Sequence, residues 1–119
     1  MKYIMSNFKK SKSQEERLDE STKIIKKYPD RLPVIIEKCI KSDIIDIDKN
    51  KYLVPTDLTL GQFLYVIRKR IKLESSKALF FFINNTLCSN TQTISEVYNT
   101  YKDKDGFLYI TYSSENTFG

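Results

Sequence analysis

Residue types that commonly carry out catalysis are absent from this chain or widely spaced along it. Histidine does not occur, which excludes Ser-His-Asp and Cys-His catalysis, and the two cysteines, Cys39 and Cys88, lack metal-ligand spacing. The three glycines are isolated and form no phosphate-binding loop, and the carboxylates show no evident acid–base pair. We therefore expect a protein that is not an enzyme, holds no metal or cofactor, and keeps both thiols free.

The residue pattern best suited to binding a partner begins at Lys51. Lys51 and Leu53 should face one side of a short strand, and Tyr52 and Val54 the other, because side chains alternate along a strand. Pro55 has no N–H to donate and suits a strand at the edge of a sheet. Such an edge can accept an extended peptide as an additional strand.

An amphipathic helix, predicted over Thr59–Ile71, follows this strand after a turn at residues 55–58. Basic residues at positions 68–70 leave one of its faces polar. The apolar residues that recur at helical spacing are Leu60, Phe63, Leu64, Ile67 and Ile71. The strand and helix allow two interpretations, a peptide-binding edge or a unit that only fills a core, because such residues are first of all core residues.

Two capping boxes predict further helices. Ser13 with Glu16, and Thr93 with Glu96, are pairs in which each side chain can satisfy a backbone N–H at a helix start. They predict helices over residues 13–27 and from residue 93 to about residue 101. The first of these helices is polar and should lie on the surface, with a thin apolar stripe of Leu18, Ile24 and Ile25. A short helical segment is also expected within residues 1–12.

Strands are predicted where β-branched and aromatic residues cluster, at Leu32–Cys39, Ala78–Ile83 and Phe107–Tyr112. The run at residues 80–82 suits a strand buried on both faces. Turns are expected at Asn84-Asn85 and at residues 103–106. The order helix, strand, strand, helix, strand, helix, strand predicts the α+β class. A hairpin followed by a helix and two more strands is typical of the ubiquitin-like β-grasp.

Length and charge limit the remaining possibilities. The chain of 119 residues favours one domain. Its sequence shows neither an apolar run approaching the ~20 residues of a membrane span nor a secretory signal. The net charge of +5 is concentrated in residues 1–31, where nine Lys/Arg face five Asp/Glu, a difference of four. This charge favours an acidic peptide, an anionic membrane or nucleic acid. We expect no nucleic-acid partner, because the basic residues are not interleaved with aromatics on one strand face.

Four blocks of the sequence carry a resemblance to a known family. They are KKYPDRLPVIIEK (Lys26–Lys38), KYLVPTDLTLGQFLYVIRKRI (Lys51–Ile71), ALFFFINN (Ala78–Asn85) and GFLYITYSSENTFG (Gly106–Gly119). They resemble the autophagy ubiquitin-like modifiers, in particular the branch that contains GABARAP, over about residues 17–119. The resemblance implies a β-grasp domain at residues 31–113, two added N-terminal helices within residues 1–30, and a flexible tail at residues 114–119.

The same resemblance implies that the chain is the substrate of a conjugation cascade. An activating and a conjugating enzyme would join Gly119 to phosphatidylethanolamine, and a cysteine protease would process or release it. Glycine suits this chemistry because it lacks Cβ and leaves its carbonyl unhindered. The protein would be a cytoplasmic monomer that becomes bound to autophagosome membranes. In certain parasites, relatives of this family sit on a plastid membrane instead.

The resemblance also implies a surface for short motifs of cargo receptors, in which Leu, Ile or Val follows an aromatic residue three positions later. The first pocket, for the aromatic residue, maps to Glu20, Ile24, Pro33, Lys51, Leu53 and Phe107. The second pocket maps to Tyr52, Val54, Pro55, Leu58, Phe63, Val66 and Ile67. The acidic residues of the motif would meet Arg31, Lys49 and Arg70. This assignment agrees with the strand alternation and favours the peptide-binding interpretation.

Two points leave alternatives open. The chain has Gln14 where relatives have an aromatic residue at the start of the capped helix, and Phe8 could take that place. A terminal glycine also suits a modifier of protein lysines, since only the acceptor differs. A third possibility is a peptide-binding adaptor that is not conjugated at all.

Overall fold

Residues 6–115, the part of the chain that the computed structural model describes, form four helices and five strands. The helices are α1 (Asn7–Ser11), α2 (Gln14–Lys27), α3 (Leu60–Arg70) and α4 (Ile94–Tyr101). The strands are β1 (Arg31–Lys38), β2 (Lys51–Pro55), β3 (Phe80–Ile83), β4 (Thr86–Leu87) and β5 (Leu108–Ser113). This order confirms the predicted α+β class. Within the described residues, no helix is both long and apolar enough to cross a membrane.

The five strands form one mixed sheet in the order β2-β1-β5-β3-β4. β1 pairs antiparallel with β2 and parallel with β5, so the two parallel strands lie beside each other near the middle. β3 pairs antiparallel with both β5 and β4. This is the ubiquitin-like β-grasp that the sequence predicted, with α1 and α2 preceding it.

Each helix within residues 6–115 is capped at its start by a side chain. Both predicted capping boxes form, with Ser13 bonded to the Glu16 N–H and Thr93 to the Glu96 N–H. A third capping box, not predicted from the sequence, starts α3 at Thr59. Ser6 caps α1 by accepting from the Lys9 N–H at 3.2 Å. Hydroxyl and carboxamide or carboxylate groups therefore satisfy the donors that each helix start leaves unpaired.

The larger core lies between one face of the sheet and helices α3 and α4. Four of the five apolar positions predicted for the helix at 59–71 are buried there, and Leu64 is half-buried. The phenylalanine run at residues 80–82 is also largely buried, with Phe81 at 3% and Phe82 at 2% exposure on opposite faces of β3. The side chains that fill this core include Val34, Ile36, Val54, Phe81, Ile83, Leu108, Ile110 and Tyr112 from the sheet, with Leu60, Phe63, Ile67, Ile94 and Val97 from the helices.

A smaller core covers the other face of the sheet and includes the N-terminal helices. The Phe8 ring of α1 meets the Phe107 ring edge-on at 5.0 Å, above Ile35 of β1. Ile24 of α2 and Tyr109 of β5 pack at its margin. The N-terminal segment therefore contributes an aromatic ring to this core through Phe8.

The stripe predicted for α2 was wrong in two of its three residues. Leu18 is 45% exposed and Ile25 is 36% exposed, whereas Arg17 and Ser21 are buried together with the inner side of Ile24. Positions 17, 21 and 24 share a helix face. This polar face turns inward because a buried acidic residue lies beneath it.

That acidic residue is Asp105, which is fully buried in the turn before β5. Its carboxylate accepts hydrogen bonds from Arg17 Nη1 at 2.5 Å, the Tyr109 hydroxyl at 2.5 Å and the Phe107 N–H at 2.9 Å. Its carbonyl accepts from the Ser21 hydroxyl at 2.5 Å. Burial, and then the bond to Asp105, raise the pKa of Tyr109 far above its ordinary value, so the hydroxyl remains a donor.

The turn that contains Asp105 also depends on a glycine. Gly106 has φ of +84°, and a Cβ built there would lie 2.3 Å from the Ser21 hydroxyl oxygen. Its carbonyl accepts a hydrogen bond from the Tyr98 hydroxyl at 2.6 Å. Glycine therefore permits both the left-handed backbone and the close approach of α2.

The sheet differs from the predicted strands at several places, and the bounds of β1 and β5 are each shifted by one residue. β4 was not predicted, because a strand of two residues is too short to show alternation. β3 begins at Phe80 rather than Ala78. β5 extends one residue beyond the predicted Tyr112, to Ser113, which is 5% exposed and pairs with Phe80.

We predict that Arg17→Met lowers the free energy of unfolding by about 3 kcal/mol or more, because it leaves the Asp105 carboxylate buried without a cation. Urea denaturation followed by circular dichroism measures the loss. Lys23→Met is the matched control on the same helix, since the ion pair of Lys23 with Asp19 is exposed to solvent. Equal losses in the two variants would contradict the prediction.

Candidate functional site

β2 is the terminal strand of the sheet, as the sequence predicted. It pairs with β1 from Lys51↔Ile35 to Pro55↔Arg31, and among residues 6–115 no strand pairs with its other side. The outer row of backbone groups is therefore open to an added extended chain. The pairing includes Pro55, which is tolerated because an edge strand needs donors on one side only.

Side chains of β2 alternate between the two faces of the sheet. Lys51 lies opposite Ile35 and therefore on the face covered by α1 and α2. Val54 belongs to the larger core below α3, and Tyr52 packs against that core as well. The strand thus supplies side chains to two separate surfaces, one on each side of the edge.

The residues of the predicted first pocket lie together on the α2 side, at different depths. Pro33 is buried and Phe107 is 0% exposed beneath Phe8. The four half-buried members, which reach the surface, are Glu20, Ile24, Lys51 and Leu53. Phe107 therefore supports this pocket from below and offers no accessible surface.

Charged side chains close the top of the first pocket. The Glu20 carboxylate accepts from Lys51 Nζ through one oxygen and from Lys12 Nζ, at 2.8 Å, through the other. Both ammonium groups also lie over the Phe8 ring, at 5.3 Å for Lys51 and 5.8 Å for Lys12. Burial opposes the Glu20 charge, but the bonds from the two lysines lower the pKa of Glu20 below its ordinary value.

The residues of the predicted second pocket lie between β2 and α3. Its floor consists of the buried side chains of Val54, Phe63 and Ile67. Val66 stands at the rim with 44% of its surface exposed. The half-buried members between floor and rim are Tyr52, Pro55 and Leu58.

Tyr52 forms the wall of the second pocket nearest the edge. Its ring meets Phe63 edge-on at 5.6 Å, and Lys49 Nζ lies over it at 4.9 Å. Its buried hydroxyl has no hydrogen-bond partner among the described residues. Burial raises the pKa of Tyr52 above its ordinary value, so the hydroxyl remains a potential donor to a ligand.

The three predicted acid-binding cations lie around the ends of β2. Arg31 lies opposite Pro55 in the ladder and donates to the Leu53 carbonyl at 3.3 Å. Arg70 makes two hydrogen bonds to Asp48, at 2.8 and 3.1 Å, and hydrogen bonding to Asp48 raises the pKa of Arg70. Lys49, on the loop before β2, is exposed. An acidic ligand would therefore compete with Asp48 for Arg70.

Two charged residues of this region, Lys12 and Asp48, were not predicted from the sequence. Lys12 and Asp48 carried no signal, since neither forms a helical i,i+4 pair with the residue that it bonds.

Gly119 lies outside the described residues. Both cysteines are free thiols, as predicted. No cluster of three or more potential metal ligands occurs between residues 6 and 115.

The sequence matches a family model described as autophagy protein Atg8, ubiquitin like, over residues 16–119. This chain belongs to the Atg8 family. It is 60% identical to autophagy-related protein 8a of Arabidopsis thaliana over 114 residues, which cover 96% of this chain and 93% of the relative. It is 52% identical to Arabidopsis autophagy-related protein 8h over 119 residues, the full length of both.

Solved Atg8 structures share the fold. The crystal structure of Trypanosoma brucei ATG8 has a TM-score of 0.91 at 46% identity and covers 98% of this chain and 100% of its own. Plasmodium falciparum Atg8, solved in complex with a Plasmodium falciparum Atg3 peptide, has a TM-score of 0.87 at 34% identity, with 96% and 100% coverage. The family and the ubiquitin-like fold predicted from sequence are thus confirmed.

We predict that charged Glu20 contributes to stability in this member of the Atg8 family only above its folded pKa. Because folding lowers the pKa of Glu20, this contribution is complete at neutral pH and is lost as the pH falls through the lowered, folded-state pKa. Urea denaturation should find wild type more stable than Glu20→Gln at pH 7 and nearly equal to it at the lowest pH. Glu74→Gln, outside this cluster, should follow wild type throughout; a constant gap for Glu20→Gln would contradict the prediction.

Proposed function

We propose that this Atg8-family protein is a ubiquitin-like modifier that becomes attached through Gly119 to phosphatidylethanolamine and recruits cargo receptors to autophagosome membranes. The observation that carries the peptide-binding part is the open β2 edge between two separate surfaces. The family assignment supports the modifier part. The protein serves as a substrate and adaptor in this proposal and not as an enzyme.

A bound motif would extend along β2 as a sixth strand of the sheet. Backbone hydrogen bonds to the open edge would hold it, and its alternating side chains would reach the two pockets. The aromatic side chain would enter the first pocket, and the Leu, Ile or Val three residues later would rest on the floor of Val54, Phe63 and Ile67.

Binding requires two sets of charged contacts to change. Lys51 and Glu20 cover the first pocket, so an aromatic side chain would enter only when the ammonium moves aside. Acidic residues of the motif would then pair with Lys49 or draw Arg70 away from the exposed carboxylate of Asp48. The carboxylate of Asp48 is exposed, so its return to solvent would cost little and the exchange would favour acidic motifs.

The conjugation part of the proposal concerns the C-terminal carboxylate. An activating enzyme would adenylate it, thioesters on that enzyme and on a conjugating enzyme would carry it, and the lipid amine would displace the last thiol. The complex of Plasmodium falciparum Atg8 with an Atg3 peptide supports an interaction between this chain and its conjugating enzyme. A cysteine protease would process the precursor or release the lipid-bound form.

We place the protein in the cytoplasm before conjugation and on autophagosome membranes after it, with a plastid membrane as the alternative known in certain relatives. The alternative functions are a modifier of protein lysines and an adaptor that is not conjugated. The domain limits proposed are an N-terminal extension at residues 1–30, the β-grasp at 31–113 and a tail at 114–119.

We expect micromolar affinity, about 8 kcal/mol, for an acidic peptide with the aromatic-x-x-Leu motif. Tyr52→Ala and Leu53→Ala should each weaken binding at least tenfold, about 1.4 kcal/mol, because each removes a wall of one pocket. Fluorescence anisotropy of a labelled peptide measures both. Leu87→Ala, which truncates an exposed apolar side chain on the opposite edge strand, is the control and should bind normally. Normal binding by both site variants would refute the assignment.

We expect the C-terminal peptide of membrane-bound protein from cells to carry the added mass of a phospholipid, and Gly119→Ala to lose it, because a side chain crowds the reacting carbonyl. Intact-mass spectrometry makes the measurement. An isopeptide bond to lysine would instead establish the protein-modifier alternative. A free carboxylate throughout would leave only the unconjugated adaptor.

A further inference from the structure

One end of the sheet joins the C-terminal strand to the long loop between β1 and β2. Because β1 and β5 are parallel, their C-terminal ends lie at the same end of the sheet. There β1 enters the loop and β5 leads toward Gly119. The Cys39 N–H donates to the Tyr112 carbonyl at 2.8 Å, and the Tyr112 hydroxyl donates to the Ile45 carbonyl at 2.7 Å. Ser42 Oγ accepts from the Ser114 N–H at 3.4 Å. The loop is therefore attached to the strand from which the tail departs.

This loop exposes two isoleucines. Ile40 is 66% exposed and Ile45 is 60% exposed, more than any other large apolar side chain that the structure describes. Ile44 between them is buried and contributes to the larger core. The loop backbone is thus held in place from inside while its neighbouring side chains project outward.

The charges of the loop nearly cancel around these isoleucines. Residues 38–50 contain three lysines and three aspartates, so the loop together with the end of β1 contributes three charges of each sign. Lys38 is engaged with the Ser42 carbonyl at 3.1 Å. Any surface that attracts this loop must therefore do so mainly through apolar contact.

We propose that Ile40 and Ile45 enter the interface of the lipid bilayer when the chain is attached to a membrane through Gly119. This inference depends on the lipid conjugation proposed above. Gly119 lies four residues beyond Glu115, and four residues span at most about 14 Å, so attachment there holds the tail end of the sheet close to the lipid. Apolar side chains of surface-bound proteins reach about 5–10 Å into the headgroup and acyl boundary.

A bilayer suits this loop better than a protein partner does. Residues 39–50 contain no tryptophan, tyrosine or arginine, the residue types that dominate the energetics of protein interfaces. They present projecting aliphatic side chains, which hydrocarbon accepts without a complementary cavity. The membrane would thereby orient the domain with the β1–β2 loop toward the lipid.

Single tryptophans can test this orientation, because the chain contains none. Ile40→Trp and Ile45→Trp proteins, each with a histidine tag after Gly119, are bound to phosphatidylcholine vesicles that contain a nickel-chelating lipid. The native chain has no histidine, so the tag is the intended attachment point. This tether replaces the conjugation cascade, and the result does not depend on whether cells conjugate the protein.

The matched control is Leu18→Trp. Leu18 is an exposed apolar residue, 45% accessible, beside Arg17, which bonds Asp105 in the turn before β5. The six residues of β5 separate that end of the sheet from the tail by roughly 17 Å. The control thus places a comparable exposed side chain on α2, near the end of β5 that is farther from the tail.

We expect a blue shift of emission on vesicle binding, and quenching by brominated lipids, for Ile40→Trp and Ile45→Trp but not for Leu18→Trp. Because the loop charges cancel, added salt should leave both signals unchanged. Absence of both signals at positions 40 and 45, or equal quenching at position 18, would overturn the proposal.

A second variant tests whether the loop contacts the membrane or instead an enzyme that conjugates the C-terminal tail. Ile40→Asp combined with Ile45→Asp should leave conjugation by purified activating and conjugating enzymes unchanged. Slower conjugation by this variant, without tryptophan signals on tethered vesicles, would assign the loop to an enzyme and refute the membrane contact. Failure of the unaltered protein to acquire lipid would refute the conjugation proposal alone.

Discussion

The buried carboxylate of Asp105 is the constraint on which the proposed binding surface depends. A fully buried carboxylate is costly unless it is paired and hydrogen-bonded, and here Arg17 and Tyr109 supply both the charge and a second donor. Arg17 comes from α2, so satisfying this one group requires the helix to lie across the sheet in a single orientation. Ser21 adds a bond from the same helix face. The stability of an outlying helix and the geometry of a binding surface therefore have the same origin.

With α2 held in this way, the two faces of the sheet differ in chemistry. The face below α3 and α4 is a broad apolar core that reaches the β2 edge as the floor of the second pocket. The face below α1 and α2 has a small aromatic core, and the edge above it is covered by Glu20 with its two lysines. A single edge strand thus borders one largely apolar and one charge-covered surface. A ligand with two unlike anchor residues and acidic neighbours is complementary to that arrangement.

How far the sequence predicts this structure depends on the range of the interactions. Ser13 with Glu16 and Thr93 with Glu96 marked helix starts correctly, because each pair spans three residues and needs no tertiary partner. The stripe on α2 failed because its periodic isoleucine and leucine competed with a buried ion pair between residues 88 positions apart. The positions assigned to the pockets came from family resemblance, and the structure adds their depth: Phe107 is support and Val66 is rim.

The sequence by itself determined the local elements, the edge character of β2, the absence of histidine-based chemistry and the glycine at position 119. Those features follow from residue type and from periodicity over a few positions. Tertiary structure decided which face of α2 is buried, how Lys12 reaches Glu20, and that the loop carrying Ile45 is bonded to the last strand. The physical reason is that a buried polar group must find its partner in space, and partners in space can come from any part of the chain.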